Sequence, residues 1–195
     1  MKRISRRATQ LSAALCLFGA LSTTSFADEP TWFGETADGE WFVGLRAGAA
    51  QSGEIAFSDA TNAGILLGYQ FSRPVGFNGS SSIEFEFTTS TSDGNIGRNS
   101  EFSVPGNWDV DTFAVYFAYR TPGTVYFKGK GGVIKSDINV KLPGQTVGSD
   151  DASLALGVGL GLRLLEDTAN VELEFTGASG DNDIDLITLG GTLLF

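Results

Sequence analysis

Apolar and polar residues alternate along most of the chain with a period of two. In the segment 154–165, leucine or valine takes every second position from Leu154 to Leu164, and alanine, glycine and Arg163 lie between them. Because side chains on a β-strand alternate between its faces, this pattern predicts a strand with one apolar face and one small or charged face. A helix is disfavoured, since each interior glycine would cost about 1 kcal/mol relative to alanine. The segment also matches the roughly 9–11 residues that a tilted membrane-crossing strand needs.

Seven further segments repeat the alternation, and no segment after the N-terminal region shows a sustained helical period. The pattern therefore predicts an all-β fold of eight strands. The predicted strands span residues 40–51, 63–71, 82–91, 110–121, 124–135, 154–165, 170–178 and 183–195.

The predicted connections differ in length in a regular way. Those after strands one, three and five are long (52–62, 92–109 and 136–151), whereas those after strands four and six are tight turns (121–123 and 166–168). Long loops on one rim and short turns on the other are typical of outer-membrane barrels, whose long loops face outside. An even number of strands then places both termini on the periplasmic side.

The N-terminal region predicts export. Residues 1–27 combine a basic start, an apolar core and small residues before Ala27, which indicates a cleaved signal peptide. We expect a periplasmic lead-in over residues 28–39 and the barrel over residues 40–195. Cleavage removes four of the 13 basic residues and none of the 23 acidic ones, so the mature charge would be −14. It also removes Cys16, the single cysteine, which leaves no disulfide or cysteine metal cluster.

Alternation alone does not say which face points outward, because a soluble lipocalin-like barrel also alternates. Three features favour lipid outside. Glycine fills much of the polar face in strands one, two and six, which suits a crowded lumen. The charges on that face are of both signs and nearly balanced. The chain also ends on a phenylalanine, Phe195, at the end of a strand. The sequence thus predicts an eight-stranded antiparallel up-and-down transmembrane β-barrel.

The balanced charges predict a plugged lumen. An eight-stranded barrel is just wide enough for its interior side chains to fill, and charges buried there must pair. We expect a structural salt-bridge network, with Arg163 near Glu172 or Glu174. The network would comprise Arg46, Glu84, Glu86, Arg120, Lys128, Lys130, Arg163, Glu172 and Glu174.

These features resemble the small outer-membrane β-barrel family that includes the OmpA transmembrane domain, OmpX and the opacity-type proteins. The resemblance covers about residues 40–195 and ends on the motif LGGTLLF. It implies insertion into the bacterial outer membrane, among its lipids and lipopolysaccharide. It also implies that the barrel-assembly machinery reads Phe195 as a C-terminal signal.

The chemistry in the chain argues against several classes of function. Barrel enzymes of the outer membrane resemble one another in using histidine as a base or proton relay, and this chain has no histidine. A formal net charge of −10 disfavours a nucleic-acid partner. The acidic segment 179–185 is interpreted as a solvated hairpin turn, because it lacks the spacing of an EF-hand loop. The alternative is that its carboxylates bind a divalent cation. No residue set indicates a catalytic, cofactor or metal site.

The preferred hypothesis is a non-enzymatic surface barrel whose extracellular loops serve surface interaction, adhesion or envelope integrity, through an extracellular partner that the sequence does not identify. The alternative is a narrow channel for ions or small solutes, because the glycines of the lumen face would leave a gap. A third hypothesis is a soluble periplasmic binding barrel.

Overall fold

A computed structural model describes residues 39–53, 57–71, 78–97, 104–179 and 184–195. The predicted signal peptide and residues 28–38 of the predicted lead-in lie outside the described residues, and Gly39 is the first residue of the first strand. The described ranges contain nine strands in succession. They are β1 (Gly39–Ser52), β2 (Ala60–Phe71), β3 (Ser80–Ser92), β4 (Gly94–Ile96), β5 (Gly106–Arg120), β6 (Val125–Leu142), β7 (Gln145–Leu164), β8 (Ala169–Ser179) and β9 (Ile184–Leu194).

Eight long antiparallel strands close into a barrel. Each pairs with its neighbour along the chain, β3 pairs directly with β5, and β1 pairs with β9 to complete the circle. The short strand β4 follows β3 after a one-residue break and pairs with the first residues of β5. The predicted all-β, eight-stranded, up-and-down architecture is therefore confirmed.

The largest difference from the predicted strands lies between residues 136 and 151, which the sequence interpretation assigned to a loop. These residues continue β6 and β7 as a regular hairpin, paired from Ser136↔Asp151 to Leu142↔Gln145. A two-residue turn, Pro143-Gly144, closes it, and Gly144 has a φ of 86°. β6 extends because Ile138, Val140 and Leu142 continue its alternation up to Pro143-Gly144, a pair that suits the central positions of a type II turn.

The apolar faces of the strands point away from the barrel axis. Leu154, Leu156 and Phe127 are 72%, 74% and 68% exposed, while the neighbouring charged residues point into the lumen and are buried. A soluble barrel would show the reverse arrangement, with its apolar faces inside. The outward face is thus a belt suited to lipid. Among the described residues, no helix has the length and apolar character needed to cross a bilayer.

The two ends of the barrel differ. We call the end with the 121–124 and 165–168 connections the tight-turn rim, and the opposite end the long-loop rim. In the turn between β7 and β8, Leu165, Glu166 and Asp167 have φ values of 50°, 55° and 72°. Non-glycine residues in this left-handed region are strained by about 1–2 kcal/mol each. The strain is the cost of a very short connection between two long strands.

Candidate functional site

The half of the lumen nearer the tight-turn rim is filled by buried charged side chains. Four are basic and four acidic, and none is more than 6% exposed. Five strands direct them toward one another because alternate positions on each strand face inward. The charge cluster, as we call it, comprises Arg46, Glu84, Glu86, Arg120, Lys128, Lys130, Glu172 and Glu174. Equal numbers of opposite charges leave it formally neutral.

Lys128 occupies the centre of the charge cluster. Its Nζ lies 2.8 Å from Glu84 Oε2, 2.9 Å from Glu172 Oε2 and 2.8 Å from Glu174 Oε1. An ammonium group has three protons, so each carboxylate can accept one. The two glutamates of β8 and one of β3 are therefore held to β6 across the lumen.

Arg120 joins two of the same carboxylates from the β5 side. Its Nη2 lies 2.6 Å from Glu84 Oε1, and its Nε donates to Glu172 Oε1 at 2.7 Å. Ser82 Oγ accepts a hydrogen bond from Arg120 Nη1 at 2.8 Å, and the Tyr126 hydroxyl donates to Glu172 Oε1 at 2.7 Å. Ser82 and Tyr126 thus form hydrogen bonds with guanidinium and carboxylate atoms of the ion pairs.

Arg46 and Lys130 complete the cluster on the side toward the long-loop rim. Arg46 Nη1 lies 2.7 Å from Glu174 Oε1, and its Nε makes an ionic contact of 3.2 Å with Glu86 Oε2 without hydrogen-bond geometry. Lys130 Nζ lies 2.8 Å from Glu174 Oε2, 3.3 Å from Glu86 Oε2 and 4.3 Å from the centre of the Tyr116 ring. Each buried charge therefore has at least two close partners of opposite sign or π character.

Side chains of the cluster occupy the space that the glycines of β7 provide. A Cβ at Gly157 would lie 2.8 Å from Lys130 Cε, and one at Gly159 would lie 2.9 Å from Glu174 Cγ. The alternative of a channel rested on a gap beside these glycines. At both positions the gap is filled, so the glycines accommodate the charged side chains and leave no open path beside them.

Arg163 is not part of the charge cluster. Its guanidinium donates to the Thr121 carbonyl at 3.1 Å and to the Gly123 carbonyl, both in the turn between β5 and β6. The expected pairing with Glu172 or Glu174 is thus not the arrangement seen. Arg163 lies two residues closer to the tight-turn rim than the position opposite Glu172, where the turn carbonyls are nearer than the carboxylates.

The lumen nearer the long-loop rim is mostly apolar, a feature that the period-two pattern does not predict. A cluster of buried apolar residues extends from Tyr116 toward the long-loop rim and ends at Trp108 and Ile96, with Phe57 packed against it. The Trp108 indole Nε1 donates to the Ser58 carbonyl at 2.8 Å. Two of these residues, Trp108 and Ile96, fall in the stretch 92–109 that was predicted to be a loop.

The two strands of the β6–β7 hairpin, together with the start of β5, extend beyond the apolar belt. We call its paired part, with the adjoining first residues of β5, the projecting sheet: 106–111, 135–142 and 145–152. Lys135 and Asp150 mark its base and are exposed. Lys141 Nζ bonds to Asp93 Oδ2 at 2.6 Å and to Asp109 Oδ2 at 2.5 Å. Partial burial acts to lower the pKa of Lys141, but these two aspartates outweigh it and raise that pKa.

The C-terminal residue lies on the tight-turn side of the barrel. Phe195 is 74% exposed, and its backbone N donates to the Trp41 carbonyl at 2.9 Å. Most of the acidic turn 179–185 lies outside the described residues. No group of three or more His, Cys, Asp or Glu in the described ranges is arranged to hold a metal ion.

Comparisons with known proteins point to one class. A family model described as an outer membrane protein β-barrel domain matches residues 13–192. No curated protein matches the chain.

Solved structures that share the fold include those of three proteins. The N-terminal β-barrel domain of Pseudomonas aeruginosa OprF is 12% identical, with a TM-score of 0.55, and the match covers 81% of this chain and 100% of that one. The attachment invasion locus protein Ail of Yersinia pestis is 15% identical, with a TM-score of 0.52 and coverage of 80% and 97%. Ail is also solved in complex with the heparin analogue sucrose octasulfate. OprG of P. aeruginosa is 10% identical, with a TM-score of 0.50 and coverage of 82% and 97%.

Proposed function

Because this chain belongs to the outer membrane protein β-barrel family, we propose that it is a non-enzymatic surface barrel that acts through its extracellular strands and loops. Its lumen serves stability, and its outward contacts serve surface interaction, adhesion or envelope integrity. The long-loop rim then faces the outside of the cell, and the tight-turn rim faces the periplasm.

The filled lumen is the observation that carries this proposal. A neutral cluster of eight buried charges occupies the periplasmic half, and mostly apolar side chains occupy the other half, together with buried polar ones such as Asn62, Thr88 and Thr112. Neither half offers an exposed reactive group among the residues that the structure describes, and the chain has no histidine to act as a base. The surfaces left to act on the environment are the extracellular ones.

The projecting sheet is the longest paired extension at the long-loop rim among the described residues. Its hairpin continues for seven residue pairs beyond Lys135, which at about 3.4 Å per residue carries the Pro143-Gly144 turn roughly 20 Å farther out. Val147 near the tip is 46% exposed. A rigid paired ribbon loses less conformational entropy on binding than a flexible loop does, so it suits a contact role.

The charge of this surface bears on the kind of partner. In the complex of Ail with sucrose octasulfate, the bound molecule is a polyanion. The extracellular ends of the described strands here carry mostly carboxylates, with Lys135 and Lys141 as the basic residues. The acidic ones are Asp59, Asp93, Asp109, Asp111, Asp137, Asp150, Asp151 and Asp185. We therefore propose a neutral or cationic partner and expect no binding of sulfated glycans.

A shortened hairpin tests the contact role. Deletion of residues 139–142 and 145–148 removes four pairs, keeps the Pro143-Gly144 turn and leaves Ile138 opposite Ser149 on the same face. We expect bacteria that carry the shortened protein to lose the adhesion that the full chain confers on a non-adherent strain. Glu166→Asn, on the periplasmic rim, is the matched control and should adhere normally.

Circular dichroism of both purified variants establishes that the barrel has folded. Unchanged adhesion of the folded shortened variant would refute a role for the projecting sheet. Adhesion and detergent resistance that are equal with and without the full chain would refute the proposed function as a whole.

Two partners concern the barrel itself. We propose that outer-membrane lipid and lipopolysaccharide surround the apolar belt, and that the barrel-assembly machinery reads Phe195. The exposed Phe195 ring at the end of the closing strand supports the second point. Phe195→Ala should lower the amount of protein in the outer membrane while leaving refolding in detergent unchanged, and equal amounts in the membrane would contradict it.

A further inference from the structure

The extracellular mouth of the lumen is covered by three segments that are distant in sequence. Phe57 pairs with Ile96 of β4 in a single antiparallel bridge. The Ser58 backbone N donates to the Asn95 carbonyl at 2.8 Å, and Asn95 N donates to Ser58 Oγ at 2.8 Å. We call these residues, together with Trp108, the cap. Its contacts join the connection between β1 and β2 to β4 and to the start of β5.

Trp108 fastens the cap. It is 1% exposed, its indole N–H donates to Ser58, and its ring meets Phe57 edge-on at 5.9 Å between centroids. Gly94 lies against the indole so closely that a Cβ there would sit 2.2 Å from Trp108 Nε1 and 2.3 Å from the Ser58 carbonyl oxygen. The cap is therefore packed as tightly as a protein core, although it lies at the mouth of the barrel.

Between the cap and the charge cluster lies a closed, mostly apolar section of the lumen. Thr88 and Thr112 share a hydrogen bond of 2.7 Å there and are 1% and 2% exposed. Small apolar residues from five strands line the same section: Ala50, Ala60, Ala114, Ala155 and Ala178. The two threonines pair with each other, whereas the buried Asn62 Nδ2 and the Tyr116 hydroxyl have no hydrogen-bond partner among the described residues.

We propose that the lumen has two independent closures in series, the periplasmic charge cluster and the extracellular cap. The first closes by ion pairing and the second by apolar packing with a single tryptophan at its centre. Opening the cap would admit solvent from outside as far as Thr112 and no farther. It would not create a conducting path, because the charge cluster lies below. This closure of the lumen by the cap does not depend on whether the projecting sheet binds a partner.

A cysteine placed between the closures tests this arrangement. In a chain with Cys16 replaced by serine, Thr112→Cys puts a single thiol below the cap, and Thr146→Cys puts one on the exposed hairpin. The probe is a small, anionic, membrane-impermeant methanethiosulfonate added outside cells. A group that reacts only after local opening is protected, so we expect Thr112→Cys to react at least about a hundredfold more slowly than Thr146→Cys.

Trp108→Ala should remove most of this protection and bring the reaction rate of Thr112→Cys within about tenfold of that of Thr146→Cys. Phe113→Ala is the matched control, because Phe113 is on the same strand but faces outward and is 51% exposed. Trp108→Phe keeps a ring and loses only the indole hydrogen bond. It should give an intermediate rate, and it serves as the test if Trp108→Ala does not fold.

Three results would overturn the proposal. Fast reaction of Thr112→Cys with the native cap would mean that the extracellular side is not closed. Continued protection in folded Trp108→Ala and Trp108→Phe would mean that the cap is not the closure. Discrete conductance steps from Trp108→Ala in a planar bilayer would mean that the charge cluster does not close the periplasmic side.

Discussion

Removing the amine of Lys128 should destabilise the barrel more than any change at an exposed lysine. Lys128→Met keeps most of the side-chain volume but leaves four carboxylates facing three cations in a buried site. Breaking a buried ion pair by removing one partner costs about 3–5 kcal/mol, because the remaining charge is left uncompensated. That corresponds to an increase of about 100- to 4,000-fold in the unfolding equilibrium constant.

Urea unfolding of the purified protein in detergent micelles, followed by tryptophan fluorescence, measures this effect. With a slope of about 2 kcal/mol per molar urea, the midpoint should fall by about 1.5–2.5 M. Lys135→Met is the matched control, because Lys135 is 62% exposed and its one ion pair, with Asp150, is 3.6 Å long. An exposed pair of this kind contributes about 0–1 kcal/mol, so its midpoint should move little.

Restoring neutrality provides the decisive comparison. Lys128→Met combined with Glu84→Gln leaves three cations and three carboxylates, and the glutamine can still accept a hydrogen bond from Arg120. We expect the double variant to regain more than half of the lost free energy of unfolding. The reasoning is refuted if Lys128→Met unfolds at the same midpoint as Lys135→Met, or if the double variant is less stable than Lys128→Met alone.

Three further results are expected from the same geometry. Gly159→Leu should lower the free energy of unfolding by about 1–3 kcal/mol, since its side chain would overpack the charge cluster. Gly129→Ala should leave the free energy of unfolding nearly unchanged, because nothing lies within 4 Å of the added Cβ. Equal effects of the two substitutions in urea unfolding would contradict this. Glu166→Gly should raise the free energy of unfolding by about 1 kcal/mol, since it relieves a left-handed residue with φ 55°, and a lower midpoint would count against strain in that turn. The unmodified protein, with insertion verified separately, should give no discrete conductance steps in a planar bilayer, and reproducible steps would instead favour the narrow channel.

The barrel could be predicted from the sequence because its signal is repeated in every strand. Period-two alternation sets both the strands and their two faces, and the contrast between long and tight connections sets the topology. The same alternation identified the eight inward charges that the structure brings together. Which face points outward followed from composition, since glycine and balanced charge suit a crowded lumen.

The depth of a residue along the barrel axis was harder to predict. Alternation shows that Arg163 faces the same side as Glu172, but it does not show that turn carbonyls lie closer than the carboxylates. The extension of β6 was in fact readable, because Ile138, Val140 and Leu142 continue the alternation into Pro143. The number of polar residues in that stretch made it resemble a loop.

The cap could not be predicted because nothing local encodes it. Trp108 and Ser58 are separated by 50 residues, and Ser58 lies in a connection that shows no alternation. Their contact depends on how far the strands rise above the belt and on how the connections cross the mouth. Both are properties of the closed barrel as a whole.

The seam between β1 and β9 has a consequence for the order of folding. Every other long pairing joins long strands that follow one another along the chain, so each of those ladders closes over a single connection, whereas the seam joins the two ends of the barrel. We therefore expect the seam to form last. Arg46 lies on β1 and reaches Glu86 of β3 on one side and Glu174 of β8, beyond β9, on the other. The ion pair between Arg46 and Glu174 forms only once the two ends of the barrel meet. The step that closes the sheet therefore also completes the pairing of charges in the lumen.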